Sequence, residues 1–251
     1  MIRKFGWVKE NFRGDRIPAA AGLYIVIYGS AGAVLARYLA IGSDPSARLY
    51  LIALLGFGLL GLADDIFGSR EVGGFRGHFI VLYLNKKFTT GAAKAIGGGL
   101  ISIYLGYEAS GGTVWIWAID SMIIALAANT LNLFDLRPGR ALSIFFLGLA
   151  AVVLAAWTRL SAPIPLGSVA VAAAVVAYYD ARGKAMLGDV GSNALGAALG
   201  LTFALDAGSV GKIIAIAVFL MINIYSERCS ISELIERHPI LAKIDSKLGI
   251  R

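Results

Sequence analysis

The chain has 251 residues, of which 58% are hydrophobic and only 16% are charged, and its mean hydropathy is +0.74. A soluble domain needs a polar surface, so this composition excludes an ordinary globular protein and indicates an integral membrane protein. The net charge of +7 is explained by basic loops at a membrane and requires no nucleic-acid partner.

Eight apolar runs predict transmembrane helices, because a bilayer core about 30 Å thick needs roughly 20 apolar residues per helix. The runs lie at 17–41, 47–63, 92–108, 112–131, 141–158, 163–180, 191–206 and 210–226. The predicted fold is an all-α, polytopic bundle of about eight transmembrane helices. Residues 1–16 are predicted to be a cytoplasmic segment, 17–226 the transmembrane domain, and 227–251 a cytoplasmic amphipathic tail. Pro18 is expected in the first turn of the first helix.

The basic residues are distributed unevenly between the two sets of loops. With a cytoplasmic N-terminus, 19 of the 23 Lys and Arg residues fall in inner segments. The positive-inside rule therefore predicts that both termini are cytoplasmic. The outer connections carry almost no residues suited to catalysis, so any active site is expected on the inner face.

The first inner cluster is GLADDIFG, in which Asp64 and Asp65 end the second apolar run. The C-terminus of a helix carries partial negative charge, so two carboxylates there need a positive group nearby. A divalent metal, a basic side chain or a cationic substrate would each meet this need. The alternative is that both side chains are solvated and only mark the membrane boundary.

The second cluster is NTLNLFDLRPGR, in which Asn129, Asn132 and Asp135 recur at intervals of three and share one helix face. The following proline predicts that the helix ends just past Asp135. Beside Arg137 and Arg140, these oxygen-bearing side chains favour a site for a metal and an anionic ligand. The alternative is that the asparagines only bond neighbouring helices together.

The third cluster is MLGDVGSNALGAALG, with Asp189 just before the seventh apolar run. Asp189 is a candidate N-cap, and Ser192, Gly196 and Gly200 form a small-residue stripe suited to close helix packing. The same glycine-rich turn could also approach phosphate through free N–H groups. Carboxylate and amide oxygens select Mg²⁺ or Mn²⁺, whereas two histidines and one cysteine argue against zinc.

In order along the chain, these three clusters resemble the motifs of the polyprenyl-phosphate N-acetylhexosamine-1-phosphate transferases. NFRGDRIPAAAGL is also similar to a family segment, and the similarity covers about Asn11 to Ile224. The resemblance implies transfer of a sugar 1-phosphate from a UDP-sugar to a polyprenyl (undecaprenyl-type) phosphate. The reaction would use Mg²⁺, release UMP at the cytoplasmic face of the plasma membrane, and serve the synthesis of cell-envelope polymers.

The resemblance also implies residue roles. Asp64, Asp65 and Asp189 would be catalytic, and Asn132 and Asp189 would hold Mg²⁺. The residues implied in substrate binding are Lys94, Asn129, Asp135, Arg137 and Arg140, with Arg70 and Arg76 as further phosphate contacts. A homodimer is compatible with the family.

Several features depart from the family. The chain is expected to lack the family's first and last spans, LRPGR replaces an acidic glycine turn, and the late His-rich motif is reduced to His238. Two alternatives therefore remain: a non-catalytic scaffold of the same fold that binds polyprenyl phosphate, and, less favoured, an ion-coupled transporter. In the tail, Ser230 and Glu233 form a capping box that predicts a short helix at the membrane surface.

Overall fold

The computed structural model describes residues 8–11, 13–39, 46–68, 90–156 and 160–249. Within these ranges the chain forms a small antiparallel hairpin and ten α-helices. The strands are β1 (Val8–Glu10) and β2 (Arg16–Pro18). The eight long helices are α1 (Gly22–Tyr38), α2 (Ser46–Phe67), α3 (Thr90–Ser110), α4 (Val114–Phe134), α5 (Arg140–Ala156), α6 (Pro163–Asp180), α7 (Gly188–Asp206) and α8 (Ser209–Ser226). The tail forms α9 (Ile231–Arg237) and α10 (Pro239–Leu248).

Each of the eight predicted apolar runs coincides with one long helix, with ends that differ by five residues or fewer. The placement of Pro18 was wrong, because this residue lies in β2 and α1 begins only at Gly22. The Pro18 carbonyl oxygen accepts a hydrogen bond from the Met186 N–H at 2.8 Å. This contact attaches the hairpin to the segment that precedes α7.

The outer surface of the bundle is suited to lipid. In the parts of the chain that the structure describes, α2, α4, α6 and α8 are long and apolar enough to cross a membrane. Large apolar side chains such as Tyr28, Leu59, Leu147 and Met221 are exposed along the outside, which a soluble monomer would avoid. These features are those of a helical membrane protein, and the total of eight spans stays a prediction.

The central helix is α7. Every residue from Val190 to Thr202 is buried, with α2 and α4 as its most extensive neighbours. On one side, a Cβ on Gly61 of α2 would collide with the backbone of Asp189. A Cβ on Gly22, where α1 begins, would collide with Gly191. The backbones of α1, α2 and α7 therefore touch directly.

The predicted small-residue stripe on α7 packs against α4. A Cβ on Gly196 would lie 2.5 Å from the carbonyl oxygen of Ala127, and one on Gly200 would lie 2.7 Å from the Cα of Ile124. Both neighbours are backbone atoms of α4, which cannot move aside as a flexible side chain can. The stripe is thus a close helix contact, as the sequence predicted.

The hairpin and the tail helices α9 and α10 lie at one end of the bundle. Asp180 is buried and accepts hydrogen bonds from the N–H groups of Gly139 at 2.6 Å and Leu187 at 3.2 Å. It thereby joins the loop after α4 to the loop before α7, on which the hairpin rests. The tail also packs on the loop after α4, through Arg140. Both terminal segments therefore lie at the same end, and the assignment of that end to the cytoplasm stays a prediction.

We expect Gly196→Ala to lower the free energy of unfolding, because the added methyl group meets α4 backbone. Overpacking of this kind typically costs about 1–3 kcal/mol. The measurement is denaturant or thermal unfolding in detergent micelles. Gly167→Ala is the matched control, since Gly167 is a helical glycine whose Cβ would meet nothing within 4 Å. Equal stability of the two variants would contradict the close contact.

Candidate functional site

A lysine lies between two of the predicted catalytic carboxylates. The Nζ of Lys94, in the first turns of α3, lies 2.8 Å from Oδ2 of Asp64 and 2.5 Å from Oδ2 of Asp189. The three side chains come from three different helices and are 18–30% exposed. Asp64 is thus largely buried rather than solvated. Of the three predicted kinds of countercharge, the basic side chain is the one that the structure supplies.

The adjacent Asp65 has a different set of contacts. Its Oδ2 accepts a hydrogen bond from the Val190 N–H at 3.0 Å, in the first turn of α7, and its Oδ1 lies 3.9 Å from Lys9 Nζ. A carboxylate at this position is stabilised by the positive end of the α7 dipole. The Asp65 side chain, not Asp189 as predicted, thus caps the N-terminus of α7. Asp189 itself lies inside the first turn.

A cavity of about 240 Å³ opens beside the Lys94 cluster. The polar residues in its wall are Asp64, Lys94, Asn129, Asn132, Asn193 and Glu227. The rest of the wall is made of glycine, alanine and other apolar residues from α2, α3 and α4, including Gly98 and Ala128. A small polar or charged group could therefore enter between α3 and α4 and reach Lys94.

The two asparagines of α4 both line the cavity and join helices. Asn132 accepts a hydrogen bond from the Ser192 hydroxyl of α7 at 3.0 Å. Asn129 donates to the side-chain oxygen of Asn223 on α8 at 2.5 Å, and Asn223 donates to Thr130 at 2.8 Å. The predicted packing role is therefore present for both. It does not remove them from the cavity wall, which both residues line.

Asp135 follows the last residue of α4 and lies outside the cavity lining. It is partly buried, and this burial raises the pKa of its carboxyl group well above the usual value. Repulsion from Asp180, Asp189 and Asp65 raises the pKa further, while the Gly188 N–H opposes the shift. Carboxylates are thus concentrated at this end of the bundle, and a cation would relieve their repulsion.

The structure brings Arg137 and Arg140 to the C-terminal tail and not to the cavity. Arg140 is 2% exposed, and its Nε and Nη2 contact the two oxygens of Asp245 at 2.5 and 2.9 Å. A third contact runs from its Nη1 to the Ser232 hydroxyl at 2.8 Å. Arg137 pairs with Glu236 of α9. Both guanidinium groups are therefore engaged by the tail and lie outside the cavity lining.

The LRPGR loop is a docking site for the end of the tail. Gly139 has a φ of +83°, a conformation that glycine adopts without strain. A Cβ at Gly139 would collide with the backbone of Leu248, and one at Gly249 would collide with Pro138. The LRPGR sequence therefore has a structural role in the contact with the tail. The other predicted phosphate contacts, Arg70 and Arg76, lie outside the described residues.

Sequence reasoning missed several polar residues of this region. Asn193 lines the cavity and donates to the Asp189 carbonyl oxygen at 2.6 Å, which holds it on the first turn of α7. Asp180 was included in the sixth apolar run only as its last residue, and Glu227 was placed only in the tail. Each lies at or near a helix end. The sequence therefore showed a polar residue at each position but did not indicate its hydrogen-bond partners.

The donor chemistry around Lys94 fits Mg²⁺. Within the described ranges, no three His, Cys, Asp or Glu side chains converge as a protein-only metal site. Mg²⁺ does not require one, since it commonly binds one or two carboxylates and retains water or substrate phosphates as its other ligands. Asp64, Asp189 and the side-chain oxygen of Asn132 offer hard oxygen ligands of this kind.

Neither the protein-family models nor the curated proteins compared with this chain match it.

We expect Arg140→Met to destabilise the protein by about 3–5 kcal/mol, because it removes the buried guanidinium that contacts both carboxylate oxygens of Asp245. The measurement is unfolding in detergent together with limited proteolysis of the tail. Arg237→Met is the control, since Arg237 and its partner Glu233 are exposed and 3.6 Å apart. Adding Asp245→Leu to Arg140→Met should recover part of the loss. If Arg140→Met and Arg237→Met lose the same amount of stability, the buried ion pair does not hold the tail on the bundle.

Proposed function

We propose that this protein transfers a sugar 1-phosphate from a UDP-sugar to a polyprenyl phosphate at the membrane surface. The observation that carries the proposal is the Lys94 ammonium group, which is held between Asp64 and Asp189 and lines a cavity with several polar residues in its wall. The motif resemblance described above supports it independently, because the residues of three separate motifs meet there. The active face is proposed to be cytoplasmic.

Asp64, Asp189 and Asn132 would hold the Mg²⁺. When bound, the ion would neutralise charge on the diphosphate of the donor. Mn²⁺ has similar ligand preferences and is expected to substitute. Asp64, Asp189 and Asn132 come from α2, α7 and α4, so no single linear motif would make this site.

The protein's own groups bind and position the reactants. Lys94 presents a positive charge at the cavity wall, where a phosphate would compete with the two carboxylates for it. An oxygen of the acceptor phosphate attacks the sugar-bearing phosphorus, the diphosphate bridge breaks, and UMP leaves. The acceptor phosphate is already anionic near neutral pH, since its second pKa is about 6. Holding it in line with the donor therefore matters more than removing a proton.

The primary test is UMP release by the purified full chain from a panel of UDP-sugars. We expect release only when both Mg²⁺ and undecaprenyl phosphate are present. Asp64→Asn and Asp189→Asn should each reduce the rate at least 100-fold, the order of loss typical for removing one electrostatic contact to the transition state. Asp206→Asn is the matched control, because Asp206 ends the same helix α7 at the opposite end.

The same experiment separates the alternatives. Binding of undecaprenyl phosphate without UMP release from any donor would replace the transferase proposal by the scaffold. Ion flux in proteoliposomes that depends on Asn132 would favour a transporter. The polar residues lie at helix ends rather than at mid-membrane depth, which is why the transporter ranks below the other two.

We expect Lys94→Met to increase the stabilisation that Mg²⁺ provides. In the native chain the lysine occupies the carboxylate oxygens that the metal needs, and the variant leaves two uncompensated carboxylates. A ligand present at 100 times its dissociation constant adds about 2.7 kcal/mol to the free energy of unfolding. The measurement is the melting temperature with and without Mg²⁺ at matched ionic strength, with Lys212→Met as the control. If Mg²⁺ raises the melting temperature of Lys94→Met less than that of the native chain, the metal binds elsewhere.

A further inference from the structure

A second, larger opening lies between α1 and α6, away from the Lys94 cluster. It is a groove of about 1080 Å³, at the upper end of the roughly 300–1,000 Å³ typical of small-molecule sites. Its wall is mainly apolar and includes Tyr24 and Tyr28 of α1 and Val171 and Val175 of α6. Since α6 is apolar and long enough to cross a membrane, the groove lies at a depth that acyl chains reach.

A basic opening of about 450 Å³, here called the mouth, adjoins one end of the groove. Its wall carries four basic residues and one acidic residue: Arg13, Arg16, Arg182, Lys184 and Asp15. Lys184 and Tyr179 line both the groove and the mouth, so the two are adjacent. The excess of positive charge therefore lies where the groove ends.

Aromatic side chains mark the junction of the apolar and basic parts. Tyr178 and Tyr179, at the C-terminal end of α6, are both half exposed, and the guanidinium of Arg182 lies 3.7 Å from the centre of the Tyr178 ring. Arg182 also donates to the Tyr178 carbonyl oxygen at 2.8 Å. Tyrosines are enriched at the headgroup level of membranes. The junction is thus at the height of lipid headgroups.

We propose that this groove binds an anionic phospholipid of the surrounding membrane. The acyl chains would lie along the apolar faces of α1 and α6, and the phosphate would lie in the basic mouth beside Lys184 and Arg16. Charge complementarity selects a lipid with net negative charge over a zwitterionic one, because the mouth has a net excess of three positive side chains. The hairpin β1–β2 supplies Arg16, so lipid binding would also hold the hairpin on the bundle.

The groove is separate from the site proposed for catalysis. The residues that line the groove and its mouth have no member in common with those that line the cavity beside Lys94. A lipid phosphate in the mouth is therefore not the reacting acceptor. The inference holds whether or not the protein is a transferase.

The test uses the full chain in detergent with equal amounts of phosphatidylglycerol and phosphatidylcholine of the same acyl composition. Native mass spectrometry then counts each lipid retained. We expect the native protein to retain phosphatidylglycerol in preference. Arg16→Gln combined with Lys184→Gln should weaken this preference roughly fivefold per charge removed, which corresponds to about 1 kcal/mol for each basic group near an anionic surface. Lys243→Gln with Lys247→Gln is the control, since both lysines are exposed on α10.

A second variant tests the groove itself. Gly167 lines the groove, and a Cβ there would meet nothing within 4 Å, so Gly167→Leu adds an apolar side chain at an open position of the groove wall. We expect it to reduce retention of both lipids. Ala174→Leu is the matched control, because Ala174 is exposed on the same helix and outside the groove lining.

Four results would overturn the assignment. The first is equal retention of the two lipids by the native chain. The second is displacement of phosphatidylglycerol by inorganic phosphate, which would indicate a free-phosphate site. Displacement by an equal concentration of undecaprenyl phosphate would make the groove the acceptor site. Conversion of a dimer to a monomer by Gly167→Leu would make a second copy of the chain the occupant.

Discussion

The direct contact of α7 with the backbones of its neighbours is the constraint on which the rest of the structure depends. Helices of ordinary side chains pack 8–10 Å apart, whereas glycine and serine permit a closer approach. On α7 these residues face α4, and Gly61 of α2 and Gly22 of α1 complete the contacts. In a membrane, such packing is favoured because lipid gives little hydrophobic drive for helices to associate.

This packing determines where the charged residues meet. Because α7 approaches α2 closely, its first turn lies beside the last turn of α2, and Asp189 comes within reach of the lysine that also contacts Asp64. Polar groups deep in a bundle are costly without partners. Around α4 that cost is offset by cross-helix hydrogen bonds. Asn132 accepts one from Ser192, and Asn129 donates one to Asn223.

The basic residues of the chain have three different roles, although the positive-inside rule treats them alike. Arg140 is a buried structural partner of the tail, Lys94 is a countercharge among catalytic candidates, and Lys184 is an exposed group at the mouth of a lipid-facing groove. The distribution of Lys and Arg between the loops predicted the orientation of the chain, and only the position of each side chain separated these roles. The tail is thereby part of the bundle and not a free surface helix.

The sequence by itself determined the helices and the motifs. A continuous apolar run long enough to span a bilayer has few alternatives to a helix, because backbone groups in lipid must bond within their own segment. The proline after Asp135 likewise predicted the end of α4, and the capping box predicted the start of α9, where the Glu233 N–H donates to the Ser230 hydroxyl.

Only the tertiary structure decided which polar residue meets which. The partners Lys94 and Asp189 are 95 residues apart along the chain, and Arg140 and Asp245 are 105 apart. No local pattern encodes such separations, because they follow from how the seven other long helices of the described residues pack around α7. The same reason explains two differences between expectation and structure. Arg140 was expected to bind phosphate and lies in a buried ion pair, and Pro18 suits a helix start but is held in a strand by contacts with residues before α7.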